Sequence, residues 1–180
     1  MAKTLVLTVI GPDKAGLVDQ LSAAISNAGA SWLESRMSNL SGYFAGILRV
    51  SVPNDKNEGL KQALASMEKD GLRLVIESEL SSKVENPHRE ISMEIVGPDH
   101  PGIIHDIAHA LAERKINILE LASEVQNGAM SGEDIFIAHI AGSVPEGQDM
   151  DELHDQLSDL ANKLLVDISL DDLEGNVTQI

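Results

Sequence analysis

The segment Gly11–Ile25 reads GPDKAGLVDQLSAAI, and Gly97–Leu111, 86 residues further on, reads GPDHPGIIHDIAHAL. A chain that writes Gly-Pro-Asp-x-x-Gly twice, each time between an apolar run and an amphipathic one, reads as a duplication. Aligning the two motifs aligns their surroundings, with LVLTVIGPD over ISMEIVGPD. Downstream, Leu17, Val18, Leu21, Ala24 and Ile25 fall at the same offsets as Ile103, Ile104, Ile107, Ala110 and Leu111. Apolar residues at i, i+1, i+4, i+7 and i+8 give a helix one buried face. Asp13 and Asp99 read as N-caps, accepting hydrogen bonds from free N–H groups of the first turn. Pro101 falls in that turn, where a missing N–H costs little.

Each helix is followed by extended segments, ASWLESRMSN then YFAGILRVSVP in one half, INILELASEVQ then DIFIAHIAGSVP in the other. The first pair is joined by the compact turn signal LSGY, the second by the longer NGAMSGED, which reads as an insertion in a flexible hairpin loop. A second helix pattern follows in each half (Leu60, Leu64 and Met67; Leu153, Leu157 and Leu160), and each half closes on a strand, LRLVIESEL or KLLVDISL. The order is βαββαβ, twice. It predicts an α+β fold of two ferredoxin-like units, each an antiparallel four-stranded sheet with both helices on one face. The expected boundaries are residues 1–82 for the first domain, 83–89 for a linker and 90–180 for the second domain.

Composition narrows the function. The 13 Lys and Arg against 29 Asp and Glu leave a net charge of -16, which argues against a direct nucleic-acid binder, since phosphate contacts need clustered cations. With no cysteine, thiolate metal sites, disulfides and cysteine nucleophiles are excluded. No stretch approaches the ~20 apolar residues of a membrane span. The run TLVLTVIG is too short for a signal sequence, so the expected location is the cytoplasm.

The repeated loop is neither a Walker loop, lacking a following Gly-Lys-Ser/Thr, nor a dinucleotide fingerprint, lacking the three-glycine spacing. It offers a helix N-terminus with a glycine in its first turn, where free N–H groups and the helix dipole favour a carboxylate. Gly16 and Gly102 equally suit a plain turn packed on its own sheet. His105 and His109, in HDIAH, stand one helical turn apart, but Asp106 occupies the place of a zincin glutamate, and the first repeat has Asp19 and Ala23 instead. They read as solvated. The acidic runs EGQDMDELHDQLSD and LDDLEG read as a solvated helix face and a frayed terminus. Glu34 and Glu120 match across the halves and read as outward strand residues. Neither a metal centre, a cofactor nor a catalytic constellation is expected.

A βαββαβ unit with a Pro-Asp-x-x-Gly-hydrophobic loop and Asn-Ile fifteen residues after the glycine (Gly102, Asn117, Ile118) resembles an ACT domain. The tandem form, with WLESRMSNLSGYFAGILRVS and NILELASEVQ, is similar to the glycine cleavage system transcriptional repressor group. The resemblance implies amino-acid sensing, with a small amino acid such as glycine bound between paired domains, an arrangement open to a homodimer. The implied ligand residues are Ala15, Gly16, Leu17 and Ser31 in the first half, and Gly102, Ile103, Asn117 and Ile118 in the second. Ser31 and Trp32 replace the Asn-Ile pair in the first half, so the two sites should not be equivalent. The group implies repression of glycine cleavage genes through a DNA-binding activator protein, without direct contact to DNA. The alternative is a stand-alone ACT protein that regulates a metabolic enzyme by association.

Overall fold

The computed structural model describes residues 2–79, 88–128, 132–172 and 176–178. Two compact units divide between Lys83 and Val84, and most of the expected linker lies outside the described residues. In the first unit the order is β1 (Ala2–Pro12), α1 (Leu17–Asn27), β2 (Ser31–Leu40), β3 (Tyr43–Pro53), α2 (Asn57–Ser66) and β4 (Arg73–Ser78). Its sheet runs β2-β3-β1-β4, antiparallel throughout. The second unit repeats this with β5 (His88–Pro98), α3 (Ile103–Glu113), β6 (Asn117–Asn127), β7 (Asp134–Pro145), α4 (Met150–Leu164) and β8 (Asp167–Asp172). The sheet order β6-β7-β5-β8 reproduces the first. The expected ferredoxin-like arrangement is present in both halves.

The acidic stretch expected to fray behaves differently. Asp171 and Asp172 lie in β8, which pairs antiparallel with a short fifth strand, β9 (Asn176–Thr178). Backbone pairing does not need an apolar face, so hydrophobic pattern alone gives no signal for it.

Alternation in the strands and helical periodicity meet in the two cores. Leu5, Leu7 and Val9 of β1 are buried with Leu17, Leu21 and Ile25 of α1 and with Leu60 and Leu64 of α2. Ile91, Met93 and Ile95 of β5 are buried with Ile103, Ile107 and Leu111 of α3 and with Leu153 and Leu157 of α4. Each such side chain contributes about 1.5–3 kcal/mol on leaving water. Val18, at the flank of the stripe, stays exposed.

A β-bulge recurs at the same place in both units. Trp32 pairs with Val50 and Glu34 with Arg49, while Ile118 pairs with Gly142 and Glu120 with Ala141. The extra residues are Leu33 and Leu119. Strict alternation would have put Glu34 on the same face as Trp32, which packs against the core. The bulge instead turns the carboxylate to the open face, where Glu34 Oε1 accepts a 2.8 Å hydrogen bond from Arg36 Nη1. That bond, then the charges of Arg36 and Arg49, hold the Glu34 carboxyl below its ordinary range.

Candidate functional site

The repeated loop joins β1 to α1 and β5 to α3, and three anchors shape it. Its aspartates are not N-caps. The backbone N–H of Asp13 donates to Gly42 O and that of Asp99 to Asp134 O, each at 2.8 Å, so the loop is tied to the neighbouring hairpin. The Asp13 carboxylate accepts from Asn39 Nδ2 on β2 and is not directed at the helix start. In each case the hairpin captures the residue that a local reading assigns to the cap.

The cap position is occupied by Gly16, with φ 90°, and by Gly102, with φ 105°. Both values lie in the left-handed region, where an L side chain costs about 1–2 kcal/mol. No side chain caps either helix. By contrast, α4 begins at Asp149, whose carboxylate accepts from the N–H of Asp151 at 3.0 Å and of Glu152 at 3.1 Å. The first-turn N–H groups of α1 and α3 therefore lack the carboxylate that α4 supplies for itself. In α1 the Leu17 N–H makes a long 3.4 Å turn bond to Lys14 O.

The motif's two glycines have separate tasks. A Cβ on Gly16 or Gly102 would meet no heavy atom within 4 Å, so the last glycine opens outward and does not pack on its own sheet. The first glycine packs. A Cβ on Gly97 would lie 2.7 Å from Val166 Cγ1 and 3.0 Å from Leu165 O, and one on Gly11 would lie 2.8 Å from Leu72 Cδ2 and 3.0 Å from Gly71 O. Sequence reasoning missed this role, because the contact partners come from the connection into the last strand, far along the chain.

Ser31 and Asn117, both exposed, open β2 and β6 and pair with Ser51 and Ser143. Because β1 and β2 are both antiparallel to β3, they run in the same direction. The loop follows the end of β1, whereas Ser31 begins β2, so the two lie at opposite ends of the unit. They are separated by the length of α1, roughly 16 Å for its turns. Gly102 and Asn117 are separated in the same way across α3. The structure groups Ala15, Gly16 and Leu17 in one loop and Gly102 and Ile103 in the other. It does not bring either loop together with the strand start of its own unit. Ile118, like Trp32, packs against the core of its unit and is not presented to the loop.

Models of the ACT domain match residues 3–77 and residues 91–158. The chain belongs to the ACT domain family. A crystal structure of an unknown protein from Galdieria sulphuraria is similar at 28% identity, with a TM-score of 0.85, covering 96% of this chain and 99% of that one. A second, named as a candidate glycine cleavage system transcriptional repressor, has 18% identity and a TM-score of 0.68, covering 95% and 97%. At that identity the likeness to the second shows the fold alone. Comparison with curated proteins finds no match.

The histidine pair of the second ACT domain lies outside the loop. His105 and His109 are exposed on α3, their rings stacked with centroids 6.2 Å apart, and His109 Nε2 is 3.6 Å from Glu113 Oε1. Among the described residues, no group of three or more His, Cys, Asp or Glu side chains is arranged to hold a metal ion. Among them, too, no helix is long and apolar enough to cross a membrane.

Proposed function

We propose that this tandem ACT protein is an amino-acid-responsive regulator, acting in the cytoplasm, whose glycine loops receive the carboxylate of a small amino acid such as glycine. One contrast carries the reading. α4 is capped by its own carboxylate, whereas α1 and α3 begin at uncapped left-handed glycines with open space before them. A ligand carboxylate would perform for the loops what Asp149 performs for α4. Family membership supports the chemistry, since ACT domains bind small amino acids.

Asn117 would supply the polar contact that fixes the ligand's remaining groups. Its place at the far end of its own unit, away from the Gly102 loop, means that the asparagine contact would come from a second copy of the protein, as in a homodimer. Ser31 has a shorter side chain and a single hydroxyl, so the site it completes is the weaker of the two. Pro101 has no N–H, so the second loop relies on Gly102 and Ile103 as donors.

Downstream, the ligand state would alter association with a DNA-binding transcription regulator of glycine cleavage genes, the protein reading no DNA itself. The net charge of -16 supports an indirect role, and the fold shared with the candidate repressor agrees with it. Association with a metabolic enzyme is the second reading of the same fold. Affinity capture with and without glycine separates them: a DNA-binding protein supports the first, an enzyme the second. The amino-acid claim is tested by thermal shift across a panel of amino acids, since a ligand bound only by the folded state raises the midpoint. A flat panel would reject it.

A further inference from the structure

The two loops differ at two positions, Ala15 against Pro101 and one that brings a titrating ring into the second loop. Lys14 stands where the second loop has His100. His100 is half-buried, and each of its ring nitrogens faces a backbone carbonyl: Nε2 lies 2.8 Å from Leu164 O, and Nδ1 lies 3.2 Å from Pro101 O. A neutral imidazole has one N–H and one lone pair, so it can donate to only one of these oxygens while turning its lone pair on the other. The imidazolium donates to both. Leu164 is the last residue of α4, so its carbonyl has no partner within the helix and lies at the negative end of the helix dipole.

The joint that His100 holds is a strained one. Leu165, immediately after α4, adopts a left-handed conformation with φ 56°, where the first unit uses Gly71 at the matching connection. The same joint receives the close packing of Gly97 against Val166. The second loop is thus fastened to the α4–β8 connection at two points, and one of them titrates.

We propose that His100 is a positioning residue whose latch between the second glycine loop and the end of α4 is strongest when the ring is doubly protonated, because only the imidazolium donates to both carbonyls and sets a full charge against the negative end of α4. The order of the Gly102–Ile104 amides then depends on pH, whereas the order of the Gly16–Val18 amides does not. Where the loops bind an amino acid, which rests on the function proposed above, affinity at the second loop follows the same titration.

The surrounding charges act in the required direction. The two backbone carbonyls, Leu164 first, raise the His100 pKa, with smaller contributions from Asp99 beside it and Asp106 in the first turn of α3. Partial burial of the ring opposes them, and Lys163 lies in the last turn of α4. A folded-state value above the ordinary imidazole one means that the latch is fully formed below the ordinary range. It weakens as pH rises through the raised value, when the neutral ring keeps one donor for the two oxygens. The first loop has Lys14, and no imidazole, at the matching position. A free amino acid keeps its carboxylate and ammonium charges across the same window, so the change would belong to the protein.

The experiment is an NMR titration of the His100 ring combined with amide hydrogen exchange on the full chain. Protection of the Asp106 amide, which donates to Gly102 O, is expressed as a ratio to that of the Gln20 amide, which donates to Gly16 O, in the same sample, which removes the intrinsic pH dependence of exchange. His100 is expected to titrate above about 6.5, the ordinary imidazole value, and the ratio should fall several-fold as it does. His100→Lys should hold the ratio at its low-pH level, and His100→Gln at its high-pH level. Titration of His100 at or below the ordinary value, or one ratio profile for all three proteins, would overturn the proposal. Glycine titration by calorimetry separates this claim from the function it rests on. If His100 and the amides behave as expected but no amino acid binds at any pH, the latch stands and the sensing function falls. If glycine binds the second loop with the same affinity from pH 6 to 8.5, the latch falls and sensing stands.

Discussion

Gly97 lies so close to Val166 that a Cβ on it would sit 2.8 Å from the Val166 Cα, closer than real side chains approach backbone. Two stretches that the sequence writes far apart, the loop and the entry to β8, are here in direct backbone contact. Gly97→Ala must push one of them away and should destabilise the protein by about 1–3 kcal/mol. Gly59→Ala is the control: its Cβ meets nothing within 4 Å in α2 and should stabilise by about 0.5 kcal/mol. Urea denaturation of both variants checks the pair.

Leu165 offers the opposite sign. Its side chain is 76% exposed and its φ of 56° is one that glycine adopts freely, so Leu165→Gly relieves strain and removes little packing. An increase in stability of about 1 kcal/mol is expected. A loss of stability in the same denaturation assay would show that the left-handed conformation is not strained here.

Asp149 closes the N-terminus of α4 by accepting two backbone N–H hydrogen bonds at one carboxylate oxygen. Asp149→Ala should cost about 1 kcal/mol, and Asp149→Asn much less, because the amide oxygen still accepts. Asp13→Ala should not behave as a cap substitution, since its carboxylate accepts from Asn39 and not from the helix. Parallel melts of the variants distinguish the two roles.

The isolated protein, with net charge -16, should give no operator shift in a gel assay at physiological salt. A shift should require a second protein. Tight binding by the pure chain would contradict the indirect role.

The features legible in the sequence are those whose cause is local and periodic. The spacing of Leu17, Leu21 and Ile25 and of Ile103, Ile107 and Leu111 named the helical side of both cores, and the doubled loop named the two ACT domains. The outward direction of Glu34 was also read, although its cause, the bulge at Leu33, is written nowhere in the alternation. What could not be read depends on partners distant in sequence. The hairpin takes the Asp13 and Asp99 N–H groups from the helix, Val166 accounts for Gly97, and His100 reaches a carbonyl 64 residues away. Where Gly102 and Asn117 lie relative to each other was equally hidden until the strand directions were known.

The central claim is that a small amino acid binds at the second glycine loop, and titration calorimetry of glycine into the intact protein tests it most directly. Saturable binding to the wild type is predicted, weakened by about 1–3 kcal/mol in Asn117→Ala if the amide leaves a buried partner unpaired, and less in Ser31→Ala. Gly102→Val should abolish it, because a side chain there projects into the open space before the helix and strains a φ of 105°. If glycine, serine and their close relatives give no binding heat with the wild-type protein, the loops are helix starts and nothing more, and the account is contradicted.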